Sequence, residues 1–144
     1  MKVCDVVLNS IWYDPRVRKQ IVEYMAQGVE VSCVGLKCAR YDADAVEKIP
    51  CPVTLVETRE KYLGRQWNPL KKIARENARN RDICNAIIAQ KPDVIHANDL
   101  NALIPAYMAA KKLGCKLIYD SHEVCVENFW DKGNKVYAAI LKRK

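Results

Sequence analysis

The chain predicts an α/β protein built on a doubly wound parallel sheet, and three observations carry that expectation. Short runs apolar on both faces, such as Lys2 to Leu8, suit strands covered on two sides. Between them lie segments whose apolar residues recur at helical spacing, as the crossovers of a parallel sheet require. Half of the 144 residues are hydrophobic and 28% are charged, so the chain buries a core of its own and is not intrinsically disordered. A single domain, residues 1–144, fits the length.

The elements follow in order. Lys2 to Leu8 is the first strand. Asp14-Pro15 then supplies an N-cap and a first-turn proline, and Val17, Ile21, Tyr24 and Met25 mark the inner face of a helix that Gly28 ends. Val29 to Gly35 is the second strand, Leu36 to Cys51 a connection without sustained period, and Pro52 to Glu57 a third strand whose leading proline suits an edge. A long helix runs from Pro69 to Gln90 with a polar middle. Asp93 to Ala97 is the fourth strand, and a helix from Asp99 to Leu113 presents Leu100, Leu103, Ile104, Tyr107 and Met108 before stopping at Gly114. Pro105 kinks that helix or delays its start. Lys116 to Tyr119 is the fifth strand, and Lys135 to Lys144 reads as a short helix. The spatial order is 3-2-1-4-5, which opens a ligand crevice at the carboxyl ends of the strands where the winding reverses, between the first and fourth.

That rule selects three loops: Asn9 to Arg16, His96 to Asp99 and Asp120 to Glu123. Both histidines of the chain, His96 and His122, fall in them, and an imidazole there can donate to an oxyanion or a sugar hydroxyl near neutral pH. A histidine at a strand end also commonly caps backbone carbonyls. Asp99 reads first as the N-cap of the following helix. Glu123 and Asp120 flank His122, and either can orient its ring or bind hydroxyls, with Glu123 preferred. The first loop lacks glycine, so it is no close-packed phosphate cradle. It offers a helix N-terminus with Arg16 and Lys19 nearby, which serves an anion or is simply a solvated face.

Composition excludes other classes. Ala102 to Ala110 is broken by Pro105 and falls short of the roughly 18 to 20 apolar residues of a membrane span. Met1 to Leu8 carries Asp5 and no cleavage site, so it is no signal peptide, and the expected location is cytoplasmic. Seven cysteines, an odd number without any CxxC pair, argue for reduced thiols and against structural zinc. The net charge of +7 (24 Lys and Arg against 17 Asp and Glu) comes without interleaved aromatics, so nucleic acid is not the expected partner.

Three segments bear a family resemblance. Asp14-Pro-Arg-Val-Arg-Lys19 followed by Gly28-Val-Glu-Val31, then Asp93-Val-Ile-His-Ala97 with Asp99-Leu100, then Lys116-Leu-Ile-Tyr-Asp-Ser-His-Glu123 resemble, in that order, the N-terminal half of glycosyltransferase family 4. These are retaining enzymes with two facing Rossmann-like domains, the GT-B fold. The resemblance implies that this domain holds a sugar or glycolipid acceptor, with Asn9, Arg16, His96, Asp99 and Glu123 as acceptor- or phosphate-binding candidates. It implies that His122 is the catalytic donor beside the leaving diphosphate of a nucleotide-sugar, in a front-face reaction without metal or resident cofactor. The family's nucleotide-sugar pocket lies in a C-terminal domain of about two hundred further residues, so the chain alone is expected to be inactive. The other reading of the residues is a non-catalytic Rossmann-like binding module. Lys71, Lys72, Arg75, Arg79 and Arg81 make the long helix basic, and with the lipid-linked acceptors common in the family they suggest peripheral docking on an anionic inner membrane face. A solvated helix face explains the same charges.

Overall fold

A computed structural model describes residues 1–8, 11, 14–37, 49–57 and 69–121, with only the helical backbone for 69–72. The expected positions Asn9, His122 and Glu123, Cys38, Cys125 and the helix at 135–144 lie outside the described residues.

Five parallel strands form one sheet: β1 (Lys2–Val7), β2 (Glu30–Lys37), β3 (Val53–Glu57), β4 (Val94–Asn98) and β5 (Lys116–Asp120), in the order β3-β2-β1-β4-β5. Helix α1 (Pro15–Ala26) packs on one face, and α2 (Pro69–Ala89) and α3 (Asp99–Leu113) on the other. The expected fold class and strand order are both present. β1, β2 and β4 are buried along nearly their whole length, which is why they read as unbroken apolar runs. β3 is an edge, and Pro52, just before it, accepts from Cys33 N at 2.9 Å through its carbonyl without needing an N–H.

Strand alternation divides the core. Cys4 and Val6 of β1, Val34 and Leu36 of β2, and Ile95 and Ala97 of β4 face α2 and α3, where they meet Ile83, Cys84 and Ile87. Val7, Val31 and Cys33 face α1, where they meet Val17, Ile21, Ile11 and Ile49. Asp14 caps α1 as expected, accepting from Arg16 N at 3.1 Å, while Met25 is 40% exposed and not part of the buried inner face. Gly114 takes a left-handed φ of +67° after α3 and donates to Ala110 O at 2.8 Å, the turn that glycine makes without strain.

The inner face of α3 differs from expectation. Ala102, Pro105, Ala106, Ala109 and Ala110 are buried, whereas Ile104 and Tyr107 are more than half exposed. Small residues let α3 lie close to both the sheet and α2, and a large side chain there would hold the helix off. The helix runs through Pro105.

The basic stretch of α2 does not form one solvated stripe. Arg75 and Arg79 are half-buried, with Arg79 Nε buried and without a protein partner, while Arg81 is exposed. Among the described residues no helix is long and apolar enough to cross a membrane. Cys4, Cys33 and Cys84 are buried free thiols; burial pushes Cys4 up to about 12 and Cys33 well above the ordinary thiol value, so neither supplies a thiolate near neutral pH.

Candidate functional site

The carboxyl ends of β1, β4 and β5 bring three segments together. From β1 the chain passes Ile11, which is buried and seated directly over Gly35; a Cβ on Gly35 would lie 2.8 Å from Ile11 Cγ1. The missing side chain on β2 therefore makes the seat that holds the loop after β1. Asp14 and Arg16 follow at the start of α1. Asp14 receives Arg16 twice, Nε to Oδ1 at 3.1 Å and Nη2 to Oδ2 at 2.9 Å, a two-pronged charge-assisted pair.

The structure thus places Arg16 at the predicted crevice already engaged by Asp14. That bond, reinforced by the fields of Asp99 and Asp120, holds its guanidinium above the ordinary value. Arg16 lies among three carboxylates, which favours ligand hydroxyls over a bare phosphate. Lys19 is elsewhere: it pairs with Glu23 at 3.7 Å and lines a surface cavity of about 500 Å³ with Arg18, Val22, Ile49 and Pro50.

At the end of β4 the expected cap is corrected. Asn98, not Asp99, is the N-cap residue of α3, and its side chain makes no capping bond. It turns inward instead, donating from Nδ2 to Asp5 Oδ1. Asp99 is the first helical residue, with a left-handed φ of +66°. Strand and helix adjoin with no residue between them, so the reversal of direction falls on Asp99, and aspartate is among the few residues that tolerate it.

His96 is corrected in place as well. It does not open a loop but lies within β4, 5% exposed, two residues before the strand end and on the face toward α1. Its Nδ1 is 2.8 Å from Tyr24 Oη and 2.6 Å from Gln20 Nε2, and the Tyr24 ring meets it edge-on with centroids 6.1 Å apart. His96 belongs to the apolar run itself, and the strand continues to Asn98, so the turn after β4 is made by Asn98 and Asp99 and not by His96.

Asp5 is the residue the sequence reading passed over. It is fully buried in β1, opposite His96 in the sheet register. Burial pushes its carboxyl up to about 7, the Asn98 bond counters this in part, and the charges of Asp120 and Asp14 add to it; its Oδ2 has no protein partner. The signal was available: a lone acid inside an otherwise apolar strand. Asp5, His96, Asn98, Tyr24 and Gln20 form a polar floor beneath the strand ends. Asp120 stands beside Asn98 across β4 and β5, and Ser121 follows it toward His122. Among the described residues no group of three or more His, Cys, Asp or Glu side chains is arranged to hold a metal ion.

Comparison with solved structures finds the same fold in glycosyltransferases. The glycotransferase of kitacinnamycin superposes with a TM-score of 0.63 at 17% identity, over 94% of this chain and 34% of that one. CalG4, the calicheamicin glycosyltransferase, gives 0.67 at 12% identity over 92% and 37%, and TcCGT1, solved in complex with UDP, gives 0.61 at 13% over 99% and 32%. At these identities the likeness concerns fold alone, and the chain spans about a third of the length of each. A comparison with curated protein sequences finds no match. The model of the Glycosyl transferase 4-like domain matches residues 13–143, nearly the entire chain. With its five-stranded sheet and its polar crevice, the chain belongs to the Glycosyl transferase 4-like domain family and forms half of a GT-B-like fold.

Proposed function

We propose that this chain is the acceptor-side half of a retaining glycosyltransferase and that transfer from a nucleotide-sugar requires a donor-binding half in addition. The observation that carries this reading is the match of residues 13–143 to the family, with Asp14, Arg16, Asp99 and Asp120 all standing at the carboxyl ends of the strands. Carboxylates accept hydrogen bonds from sugar hydroxyls, and a guanidinium fixed by one of them keeps N–H groups turned toward a neutral ligand.

In this reading Asp99 and Glu123 accept from the acceptor, Asn9 and Arg16 donate to it, and His96 steadies the floor beneath. His122 donates to the departing diphosphate as its charge develops, while the acceptor hydroxyl attacks from the same face. That role comes from the match of Tyr119-Asp-Ser-His-Glu123 to the family's motif.

The test is a titration of the isotope-labelled chain with soluble mono- and disaccharides, followed by amide NMR, beside a transfer assay with nucleotide-sugars. The expected result is sugar-dependent shifts at Arg16, Asp99 and Ser121 with no transfer. Transfer by the chain alone would show that the donor site is already present. Unmoved amides would leave the non-catalytic module as the better account.

A further inference from the structure

Asn98 stands at the N-cap position of α3 and does not cap it. Asparagine there ordinarily accepts from the first-turn amides of its own helix, yet this side chain makes no capping bond. It lies opposite Val7 in the register of β1 and β4 but leans back two residues along the sheet, donating from Nδ2 to Asp5 Oδ1 and reaching Val6 O at 3.5 Å. Both partners are buried, Asp5 completely and Asn98 to 2% exposure. The bond is shielded from water, and it ties the end of β4 to the middle of β1.

Asp99 takes the consequence. It carries the whole reversal from strand to helix at φ +66°, a region that aspartate enters only at a cost. The junction therefore forgoes a cap and holds a left-handed residue, and the Asp5–Asn98 bond offsets both. We propose that Asp5 and Asn98 are positioning residues: their bond holds the β4–α3 junction in this form and so fixes where the carboxylate of Asp99 stands relative to Arg16. Without it Asn98 is drawn outward to cap α3, and Asp99 relaxes toward an ordinary helical φ. The bearing on sugar binding rests on the transferase reading, whereas the hold on the turn does not.

The hold responds to pH. A carboxylate accepts from an amide more strongly than a protonated carboxyl does, so the junction tightens as Asp5 ionises. Asp5 is faced by Asp14 and Tyr24 of α1, Cys33 of β2, His96 of β4, Asp120 of β5 and Cys51 ahead of β3. Of these an imidazole is the group that ordinarily titrates near neutral pH, and replacing Asp5 separates its contribution.

NMR of the isotope-labelled chain between about pH 5 and about pH 9 is the test, following the Asp99 and Leu100 amides, the Asp99 carbon shifts that report φ, and the Asn98 side-chain amide. In the parent all are expected to move together with a midpoint of about 7. In Asp5→Asn, whose amide oxygen still accepts from Asn98, the step disappears and Asp99 keeps its left-handed carbon shifts. Asn98→Ala moves those shifts toward helical values and raises the Asp5 midpoint by about one pH unit, because the bond that favoured the carboxylate is gone. It also weakens sugar binding about tenfold, which Asp5→Asn does not. A step that persists in Asp5→Asn belongs to His96 and overturns the proposal, a comparison that decides it even where Asn98→Ala does not fold. Left-handed shifts retained in Asn98→Ala overturn it as well. A parent that binds no sugar, with Asp99 following Asp5 and Asn98 as described, refutes the transferase reading and supports the hold on the turn. Equal sugar binding with and without Asn98, Asp99 unmoved, does the reverse.

Discussion

The two faces of this sheet are built from the same strands and do different work. Toward α2 and α3, β1 and β4 present Cys4, Val6, Ile95 and Ala97, and the helices answer with Ile83, Ile87 and a row of alanines. Toward α1 the same strands present Asp5, His96 and Asn98 among Val3, Val7 and Val94. One face minimises water contact. The other keeps a hydrogen-bonded polar layer inside the fold, which costs stability unless each group is satisfied. A period of two residues lets one strand serve both ends, so stability and site chemistry are separable by residue parity.

The largest expected effect tests the apolar face. Ile87 is fully buried between α2 and the sheet, and Ile87→Ala removes three methylene-sized groups where the close-packed helices leave little room to collapse. The expected loss is about 2–5 kcal/mol in urea denaturation, with the sugar-induced shifts unchanged in the folded protein. Shifts that vanish while the fold persists would break the separation of the faces.

The next effect tests the polar face through pH. Asp5 titrates at about 7 in the folded chain against 3.8 as its ordinary value. Between those values the folded state holds a proton that the unfolded state has released, so stability falls as pH rises through that window. The contribution is complete below about 3.8 and gone above about 7. Three units correspond to about 4 kcal/mol as an upper bound, since water entering the site lessens the penalty. Asp5→Asn keeps an acceptor for Asn98 and cannot ionise. Its stability difference between pH 4 and pH 8 is expected to shrink by about 2–4 kcal/mol relative to the parent, with the variant the more stable of the two at pH 8. Parallel pH profiles for the two proteins would show that Asp5 is not the titrating group.

How far the sequence was legible follows from the same division. Strand positions and order were readable because β1, β2 and β4 are covered on both faces, so burial writes itself as continuous apolar runs. The inner face of α3 was misread, because hydrophobic size was taken for inwardness while close approach to the sheet selects Ala102, Ala106 and Ala109. The crevice was located by topology and its residues only partly: Arg16 and Asp99 sit at the strand ends, whereas His96 sits within the strand. Asp5 carries a local signal, a lone acid in an apolar strand, but its partnership with Asn98 joins residues 93 positions apart, and no local pattern records a bond across two strands.

The smallest effect concerns the histidine itself. Tyr24→Phe removes the hydroxyl 2.8 Å from His96 Nδ1 and leaves Gln20 within 2.6 Å of the same atom, so the ring nitrogen keeps a partner. The expected cost is therefore about 0.5–1.5 kcal/mol, that of one exchanged hydrogen bond, with a change in the His96 ring resonances and no change in the β4 amides. Joining Gln20→Ala to it deprives the ring of both α1 partners. The two side chains meet the same ring nitrogen and each covers for the loss of the other, so the double variant is expected to lose more than the sum of the two single ones. Urea midpoints for the four proteins measure that excess directly. Simple additivity would mean that Tyr24 and Gln20 hold His96 independently. A Tyr24→Phe loss as large as that of Ile87→Ala would mean that this face, too, is built first for stability.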